Sequence, residues 1–316
     1  MTKLTATARL VPHMADNHSM LRRHFLAATA ASLTAAAAGP RVLGLNLYTV
    51  RDPLATKPAE TYKALAALGI TELEVRPDNL RNHAEMIKAA GLKPKHLFIE
   101  SPIVTGTWEP WRELSARMAK RMKMAPPNPD APKPTLDEMI TLAKQHGVER
   151  IGLSFLLPEE RDGSIEKLNR AAAACSAAGI GFYYHNHAFE FEGEPGARFI
   201  DRLYKDLDKR AKLEMDVFWV AMGGADPAAL LKQWKGRVGS VHLKDVSTSA
   251  PRKVQEFSMP PTSFAEVGSG TLDWKSILDA AKAAGVGHYF IEQDATPGDP
   301  LESVRKSVQY LRGLKG

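Results

Sequence analysis

Residues 165–187 contain one complete helix-to-strand unit of this chain and read IEKLNRAAAACSAAGIGFYYHNH. An Ala-rich amphipathic stretch ends at Gly179, and a short aromatic run follows that is typical of a buried β-strand. Glycine suits the end of a helix because it adopts the left-handed backbone conformation without strain. The same order recurs at Gly69, Gly91 and Gly285. The pattern therefore predicts helices that alternate with strands along the whole chain.

Eight β-branched or aromatic runs are predicted strands, namely residues 42–48, 72–76, 95–99, 150–155, 181–187, 212–217, 240–244 and 288–293. Helical periodicity predicts helices at 58–68, 84–90, 136–146, 165–178, 197–207, 227–234, 274–284 and 301–314. Eight strand-then-helix units favour an α/β fold, a closed (β/α)8 TIM barrel that forms a single domain over residues 40–316. An open doubly wound sheet is disfavoured, because no Gly-rich phosphate-binding loop follows the first strand.

The first 39 residues resemble an export signal rather than part of the barrel. Arg22 and Arg23 precede an Ala-rich run that ends at Ala38, and Gly39 and Pro40 follow. This order predicts a twin-arginine signal over residues 1–39 and a periplasmic protein. The apolar run is too short and too mild to predict a stable membrane anchor. A disordered Ala-rich tail is the alternative interpretation.

Charge and cysteine content restrict the classes of partner. The formal net charge is only +6, from 42 basic and 36 acidic residues, and part of the excess lies in the first 38 residues. A chain with such similar numbers of basic and acidic residues does not predict nucleic-acid binding.

The single cysteine, Cys175, excludes an internal disulfide and is expected to be a small buried residue rather than a reactive thiol. The oligomeric state stays open, and a homo-oligomer is compatible with the sequence.

Two connections are long enough to have a function of their own, residues 101–134 and 246–270. Both follow a strand, so both should lie at the C-terminal face of the barrel, where active sites of this fold are found. Loops of this length are usually functional or disordered. We expect substrate lids, with solvated insertions as the alternative.

Ionisable residues concentrate near the C-terminal ends of the predicted strands, and these are Glu74, His185, His187, Asp216, His242 and Glu292. Side chains alternate along a strand, so His185 and His187 should share one face. Histidine and carboxylate ligands together suit Mn²⁺, Co²⁺, Fe²⁺ or Zn²⁺ better than Mg²⁺ or Ca²⁺. One strand histidine is usually structural, but several charged groups on successive strands predict a divalent metal, because burying charge without a partner is costly.

Several motifs extend this interpretation: LNLYTVRD at 45–52, YHNHAFEF at 184–191, MDVFWV at 215–220, VHLKD at 241–245, EVGSG at 266–270 with Asp273 and Trp274, and FIEQD at 290–294. Over residues 42–314 the chain resembles the xylose isomerase-like TIM barrels, which include sugar phosphate isomerases and epimerases, hydroxypyruvate isomerase and inosose dehydratase. Members hold one divalent metal with Glu, Asp, His and Glu on strands five to eight. The resemblance implies Asp216, His242 and Glu292 as ligands. Strand five departs from the pattern, so the fourth ligand is His185 or His187, of which His185 lies nearer the expected position.

The resemblance implies an isomerase or epimerase that removes a proton next to the carbonyl of a sugar or keto-sugar. Glu292 or the strand-five histidine that is not a ligand, His187, is the expected base. Lys244 is expected either to reach a substrate oxyanion or to pair with Asp245.

Sugar-binding residues are predicted at the same rim, where each also has a purely structural alternative. Asn46 and Glu74 would bind hydroxyl groups, and Trp219, with Trp108 or Trp111, would stack on the sugar ring.

Three other functions are alternatives to an isomerase or epimerase. A lyase acting on a keto-polyol or keto-glycoside is suggested by the His-rich strand five, which resembles inosose dehydratase. The epimerases use paired glutamates on strands five and eight, and here only Glu292 remains. An exported carbohydrate-binding protein without catalysis is disfavoured by the retained ligands. A nuclease of the endonuclease IV type would need more metal ligands than the strand ends offer.

Overall fold

The computed structural model describes residues 40, 43–121, 128, 130–251 and 259–314. The predicted export signal, residues 1–39, lies outside these ranges. So do residues 122–127 and 252–258, which belong to the two long connections.

Eight parallel strands close into a barrel in the order β1-β10-β7-β6-β5-β4-β3-β2. The strands are β1 Gly44–Asn46, β2 Glu72–Val75, β3 Lys93–Ile99, β4 Arg150–Leu153, β5 Gly181–His185, β6 Ala211–Asp216, β7 Val238–Leu243, β8 Asp245–Val246, β9 Phe264–Ala265 and β10 His288–Ile291. Strands β8 and β9 form a separate antiparallel pair in the second long connection. The closed ring confirms the predicted (β/α)8 barrel and excludes the open sheet. Each predicted strand is present, and β5 ends at His185, two residues before the predicted end.

The helices surround the barrel and are α1 Arg51–Thr56, α2 Pro58–Leu68, α3 Pro77–Ala89, α4 Pro102–Thr105, α5 Trp108–Arg121, α6 Leu136–Gln145, α7 Ser164–Ala177, α8 Phe199–Asp206, α9 Val217–Met222, α10 Pro227–Gln233, α11 Trp274–Ala284 and α12 Pro300–Gly313. Short 3-10 turns occur at Leu47–Val50, Pro158–Glu160, Phe189–Phe191 and Pro261–Ser263. Helix α5 was missed within the first long connection. Helix α9 was also missed, because a short run that is apolar on nearly every side has no helical period to detect. Within the described residues, no helix has the length and apolar character needed to cross a membrane.

The helix ends and the core agree with the sequence. Gly69, Gly91, Gly179 and Gly285 all have positive φ, between 73° and 85°. Cys175 is buried in the core, and burial raises the pKa of its thiol to about 12, which confirms a structural role. Leucine, isoleucine and valine fill the space between the barrel and its helices in one continuous core.

One buried carboxylate holds the loop between β7 and α11 in place. Asp245 Oδ2 accepts hydrogen bonds from Gly268 N at 2.9 Å, Gly270 N at 3.1 Å and Trp274 Nε1 at 2.6 Å. Its Oδ1 accepts from Leu272 N at 3.2 Å. A carboxylate is the side chain that can satisfy so many donors at once, because it only accepts. Asp245 therefore holds the EVGSG segment at the C-terminal end of β7.

We predict that Asp245→Asn lowers the free energy of unfolding by about 2–3 kcal/mol, because an amide nitrogen would face buried N–H donors. Chemical denaturation measures this change. Asp279→Asn is the control, since Asp279 is an exposed carboxylate of α11 that pairs with Lys275. Equal stability of Asp245→Asn and the natural protein would show that the loop does not depend on this carboxylate.

Candidate metal centre and active site

Four side chains from neighbouring strands meet at the C-terminal end of the barrel. His185 ends β5, Asp216 ends β6, His242 lies in β7 and Glu292 follows β10. Register brings Asp216 level with His242 on the adjacent strand. One potential ligand atom from each of the four lies within 4.8 Å of the others. All four residues are buried, with exposed fractions of 6% or less.

The hydrogen bonds around this group leave suitable atoms for a cation. His185 Nδ1 lies 2.7 Å from the Ser154 carbonyl oxygen, so Nδ1 carries the proton and Nε2 presents its lone pair. Asp216 Oδ1 accepts from Trp219 N at 3.1 Å. His185 Nε2 is buried and lies 3.4 Å from Asp216 Oδ2, which is also 3.0 Å from Lys244 Nζ. A buried imidazole nitrogen with its lone pair exposed to a neighbouring carboxylate oxygen fits the role of a metal ligand beside that oxygen.

His242 and Glu292 complete the group. His242 Nδ1 lies 2.9 Å from Glu292 Oε2 and 3.9 Å from Asp216 Oδ2. Burial alone would lower the pKa of His242, but the carboxylates of Glu74, Glu292 and Glu214 outweigh burial and raise it well above its ordinary value. These three carboxylates place negative charge around His242, as a site for a divalent cation requires.

The two strand-five histidines occupy different places. Because β5 ends at His185, His187 lies beyond the strand, and strand alternation no longer decides where its side chain points. His187 stacks on Trp219 with ring centroids 4.8 Å apart and planes 16° apart. Its ring centroid is 5.2 Å from that of His185. The geometry therefore places His185 within the four-residue group and His187 beside it.

Lys244 is buried among carboxylates. Its Nζ lies 3.0 Å from Asp216 Oδ2, 2.7 Å from Glu292 Oε2 and 2.7 Å from Asp294 Oδ2. Burial would lower the pKa of Lys244, but these three carboxylates outweigh it and raise the pKa well above the ordinary value. The alternative of a pair with Asp245 is wrong, because that carboxylate is occupied by the loop donors described above.

Glu74 and Asn46, the predicted binders of sugar hydroxyls, are buried and bonded to each other. Asn46 Nδ2 donates to Glu74 Oε2 at 2.6 Å, and Asn46 Oδ1 accepts from Tyr48 N at 2.9 Å. Glu74 Oε2 also lies 2.7 Å from His242 Nε2. The structure thus brings Glu74 against the back of a predicted metal ligand.

Two further buried residues near Glu74, His96 and Glu214, were missed by sequence analysis. His96 Nδ1 lies 3.3 Å from Glu74 Oε1 and 3.1 Å from Glu214 Oε1. Ser240 Oγ donates to Glu214 Oε1 at 2.6 Å. Alternation offered a signal for Glu214, which lies two residues before Asp216 and shares its strand face. His96 falls inside a predicted strand rather than at its end, so a search of strand ends passes over it.

Aromatic side chains form one wall of the mouth. Trp219, Phe218, Phe264, Met259 and Ala188 make a small buried cluster separate from the main core. Trp111 contacts Phe155 with ring centroids 5.3 Å apart, and Phe155 contacts His187 at 4.6 Å. Trp108, the other predicted stacking residue, begins α5 and packs against the main core. Of the two alternatives in this connection, Trp111 is the one that joins the aromatic wall.

A buried carboxyl holds the segment that carries His187. Glu190 Oε2 accepts from His187 N at 2.9 Å, and its Oε1 accepts from Tyr184 Oη at 2.6 Å. Burial raises the pKa of Glu190 to about 6. Glu190 therefore fixes the backbone on which His187 faces the site.

Comparison with known proteins agrees with this architecture. The model of the family described as xylose isomerase-like TIM barrel matches residues 125–314. The chain belongs to this family.

Among relatives of this xylose isomerase-like barrel, the inosose dehydratase of Geobacillus thermodenitrificans is 32% identical over 168 residues, which cover 50% of this chain and 56% of that protein. The chain thus matches just over half the length of this relative. A sugar phosphate isomerase/epimerase from Parabacteroides distasonis has a similar structure, with a TM-score of 0.66 and 20% identity over 89% of this chain and 96% of that one. The IolI protein, solved with a zinc atom, has a TM-score of 0.59 and 15% identity over 86% of this chain and 98% of that one.

We predict that the protein binds about one Mn, Co, Fe or Zn ion per chain. Asp216→Asn and His185→Gln should lose the ion, because each removes a ligand. His187→Gln should retain it and is the matched control. Elemental mass spectrometry on protein purified without an affinity tag gives the content. Loss of metal from His187→Gln but not from His185→Gln would reverse the assignment of the strand-five ligand.

A second prediction concerns pH. The pKa of Glu190 is raised in the folded state, so folding favours its protonated form, and the stabilisation present below pH 4.5 is lost as pH rises through 6. The natural protein should lose about 2 kcal/mol over this range relative to Glu190→Gln, which cannot ionise. Denaturation at several pH values measures the difference, with Glu192→Gln, an exposed carboxyl, as control. A difference independent of pH would contradict the raised pKa.

Proposed function

We propose that this protein is a metal-dependent enzyme that removes a proton next to the carbonyl of a keto-sugar or keto-polyol and then eliminates water. The observation that carries the proposal is the buried group of His185, Asp216, His242 and Glu292 at the barrel mouth, whose ligand atoms all lie within 4.8 Å of one another. A divalent ion held by these residues would supply Lewis-acid polarisation of the carbonyl and an adjacent hydroxyl.

His187 is the better candidate for the base. Burial alone would raise the pKa of Glu292, but Lys244 and His242 outweigh it and hold the pKa well below its ordinary value, so Glu292 is a weak base. Burial, with the charges of His185 and Lys244, lowers the pKa of His187 well below its ordinary value. His187 is therefore neutral near pH 7, in the form that accepts a proton at a ring nitrogen.

Lys244 supports this chemistry as a fixed positive charge. Its raised pKa means that Nζ keeps its proton, which excludes it as a base at neutral pH. Nζ lies 5.4 Å from the centre of the Trp219 ring, on which His187 stacks. From this place Lys244 can stabilise negative charge that develops on a substrate oxygen.

Elimination is favoured over the epimerisation or isomerisation that the sequence first suggested. Epimerisation by paired glutamates would need a carboxylate on strand five, where the chain has His185. The curated relative of this family with 32% identity is an inosose dehydratase. In the proposed reaction, His187 takes the proton from the carbon beside the carbonyl, and the C–H electrons form a C=C bond. The β-hydroxyl leaves with its bonding pair and, once protonated, is released as water.

Two further parts of the proposal concern the surroundings of the enzyme. Export to the periplasm by the twin-arginine signal in residues 1–39 is part of it, and it favours an unphosphorylated substrate, since sugar phosphates are mostly cytoplasmic intermediates. The substrate is a small molecule, and neither nucleic acid nor a membrane is proposed as a partner.

We predict that metal-loaded protein converts a keto-inositol to an unsaturated ketone, followed by its ultraviolet absorbance. His187→Ala should lower kcat/KM by about 10²–10⁴-fold, typical for loss of a general base, and should keep its metal. His146→Ala, at the end of α6, is the control.

Other outcomes would contradict the proposal in distinct ways. An epimer that carries solvent deuterium and retains every hydroxyl would identify an epimerase instead. Full activity of His187→Ala would assign the base elsewhere. Sugar binding without turnover in the metal-loaded protein would support the carbohydrate-binding alternative.

A further inference from the structure

The lower layer of the barrel lumen holds ionisable side chains that the proposed reaction does not use. It consists of Glu74, His96, Glu214 and Ser240, together with Asn46, and all are buried. The side chains of Glu74 and His242 are both 0% exposed. The layer therefore requires a role other than direct contact with substrate.

The two ring nitrogens of His242 face different layers. Nδ1 faces the upper group, 2.9 Å from Glu292 Oε2. Nε2 faces the lower layer, 2.7 Å from Glu74 Oε2 and 3.5 Å from Glu214 Oε2. A carboxylate can only accept, so a proton on Nε2 is favoured by Glu74. With the proton held there, the lone pair lies on Nδ1, on the side where the other candidate ligands are.

Glu74 is itself held on both oxygens. Asn46 Nδ2 donates to Oε2 at 2.6 Å, and His96 Nδ1 lies 3.3 Å from Oε1. Asn46 in turn is fixed by its 2.9 Å hydrogen bond from Tyr48 N at the end of β1. Every polar atom of the Asn46 side chain is thus used within the protein. Such an arrangement orients a carboxylate rather than offering it to a ligand.

We propose that Glu74 is a positioning residue for the metal ligand His242, and that Asn46 and His96 hold Glu74 in place for this purpose. This inference rests on the metal site of the proposed function. It replaces the expectation that Glu74 and Asn46 bind sugar hydroxyls. Carboxylates that orient a ligating histidine typically change metal affinity by 10–100-fold when removed.

The alternative for the same residues is a second metal ion, because Glu74, Glu214 and His242 also offer ligand atoms within 4.8 Å of one another. Glu74 is better suited to positioning His242 than to holding an ion, because Asn46 Nδ2 donates to its Oε2 at 2.6 Å and His96 Nδ1 lies 3.3 Å from its Oε1. The number of ions bound distinguishes the two readings.

The test is Co²⁺ binding to metal-stripped full-length protein, measured by calorimetry and by elemental mass spectrometry, with no substrate present. Glu74→Gln should bind one ion, as the natural protein does, with a Kd raised by about 10–100-fold. Asn46→Ala, which loosens Glu74 without removing it, should raise the Kd by a smaller factor. Glu160→Gln should leave the Kd unchanged. It is the matched control, since Glu160 is a buried carboxyl that accepts from Ser101 and Thr105 instead.

Three results would overturn the inference. One is an unchanged Kd in Glu74→Gln with a raised KM for the sugar, which would restore the substrate-binding role. Another is two ions in the natural protein and one in Glu74→Gln, which would establish a second metal. The third is an equal loss of affinity in Glu160→Gln, which would show a general effect of destabilisation. No Co²⁺ binding by the natural protein would instead contradict the proposed function itself.

Discussion

The carboxylates of Glu74, Glu214, Asp216 and Glu292 lie inside the barrel, and the arrangement of the site depends on how their negative charge is compensated. Burial of an ionised carboxylate is costly unless opposite charge or hydrogen-bond donors surround it. The barrel supplies imidazoles and one ammonium group for this purpose, and Lys244 alone contacts three carboxylates. The ligand atoms of His185, Asp216, His242 and Glu292 lie within 4.8 Å of one another, where a divalent cation would compensate further negative charge.

Parallel strand pairing determines which charges can meet. Strands of a closed barrel end at a common rim, so Asp216 and His242 lie level because their strands are in register. The layer below follows from the same register two residues earlier, where Glu214 pairs with Ser240. The two layers are therefore consequences of one alternation along β6 and β7. His242 connects them, since its ring nitrogens face one layer each.

The sequence predicted the barrel well because its signals are local and repeated. Helix ends marked by glycine and strands of β-branched or aromatic residues locate the predicted elements to within about two residues, except that α3 begins at Pro77 rather than at residue 84. Asp216, His242 and Glu292 were found because charged residues at strand ends are rare and costly. Choosing between His185 and His187 was beyond the sequence, because alternation holds only while the strand continues, and β5 ends at His185.

Other features depended on contacts that no local pattern encodes. Lys244 pairs with Glu292 and Asp294, which follow β10. Its sequence neighbour Asp245 instead accepts hydrogen bonds from Gly268 and Gly270 in the loop. The contact of Glu74 with His242 likewise depends on barrel closure, which joins β2 to β7 through β1 and β10. Carboxylates with the same side-chain chemistry therefore have different roles, which depend on the contacts that the fold gives them.

The central claim is that one divalent metal binds among His185, Asp216, His242 and Glu292. The most direct test is X-ray diffraction from crystals grown with Co²⁺, with anomalous difference maps collected on both sides of the cobalt absorption edge. We predict a single strong peak for Co²⁺ within bonding distance of all four side chains, with His187 and Glu74 farther from the ion. A peak at another place, or none at these four residues in crystals saturated with Co²⁺, would contradict it.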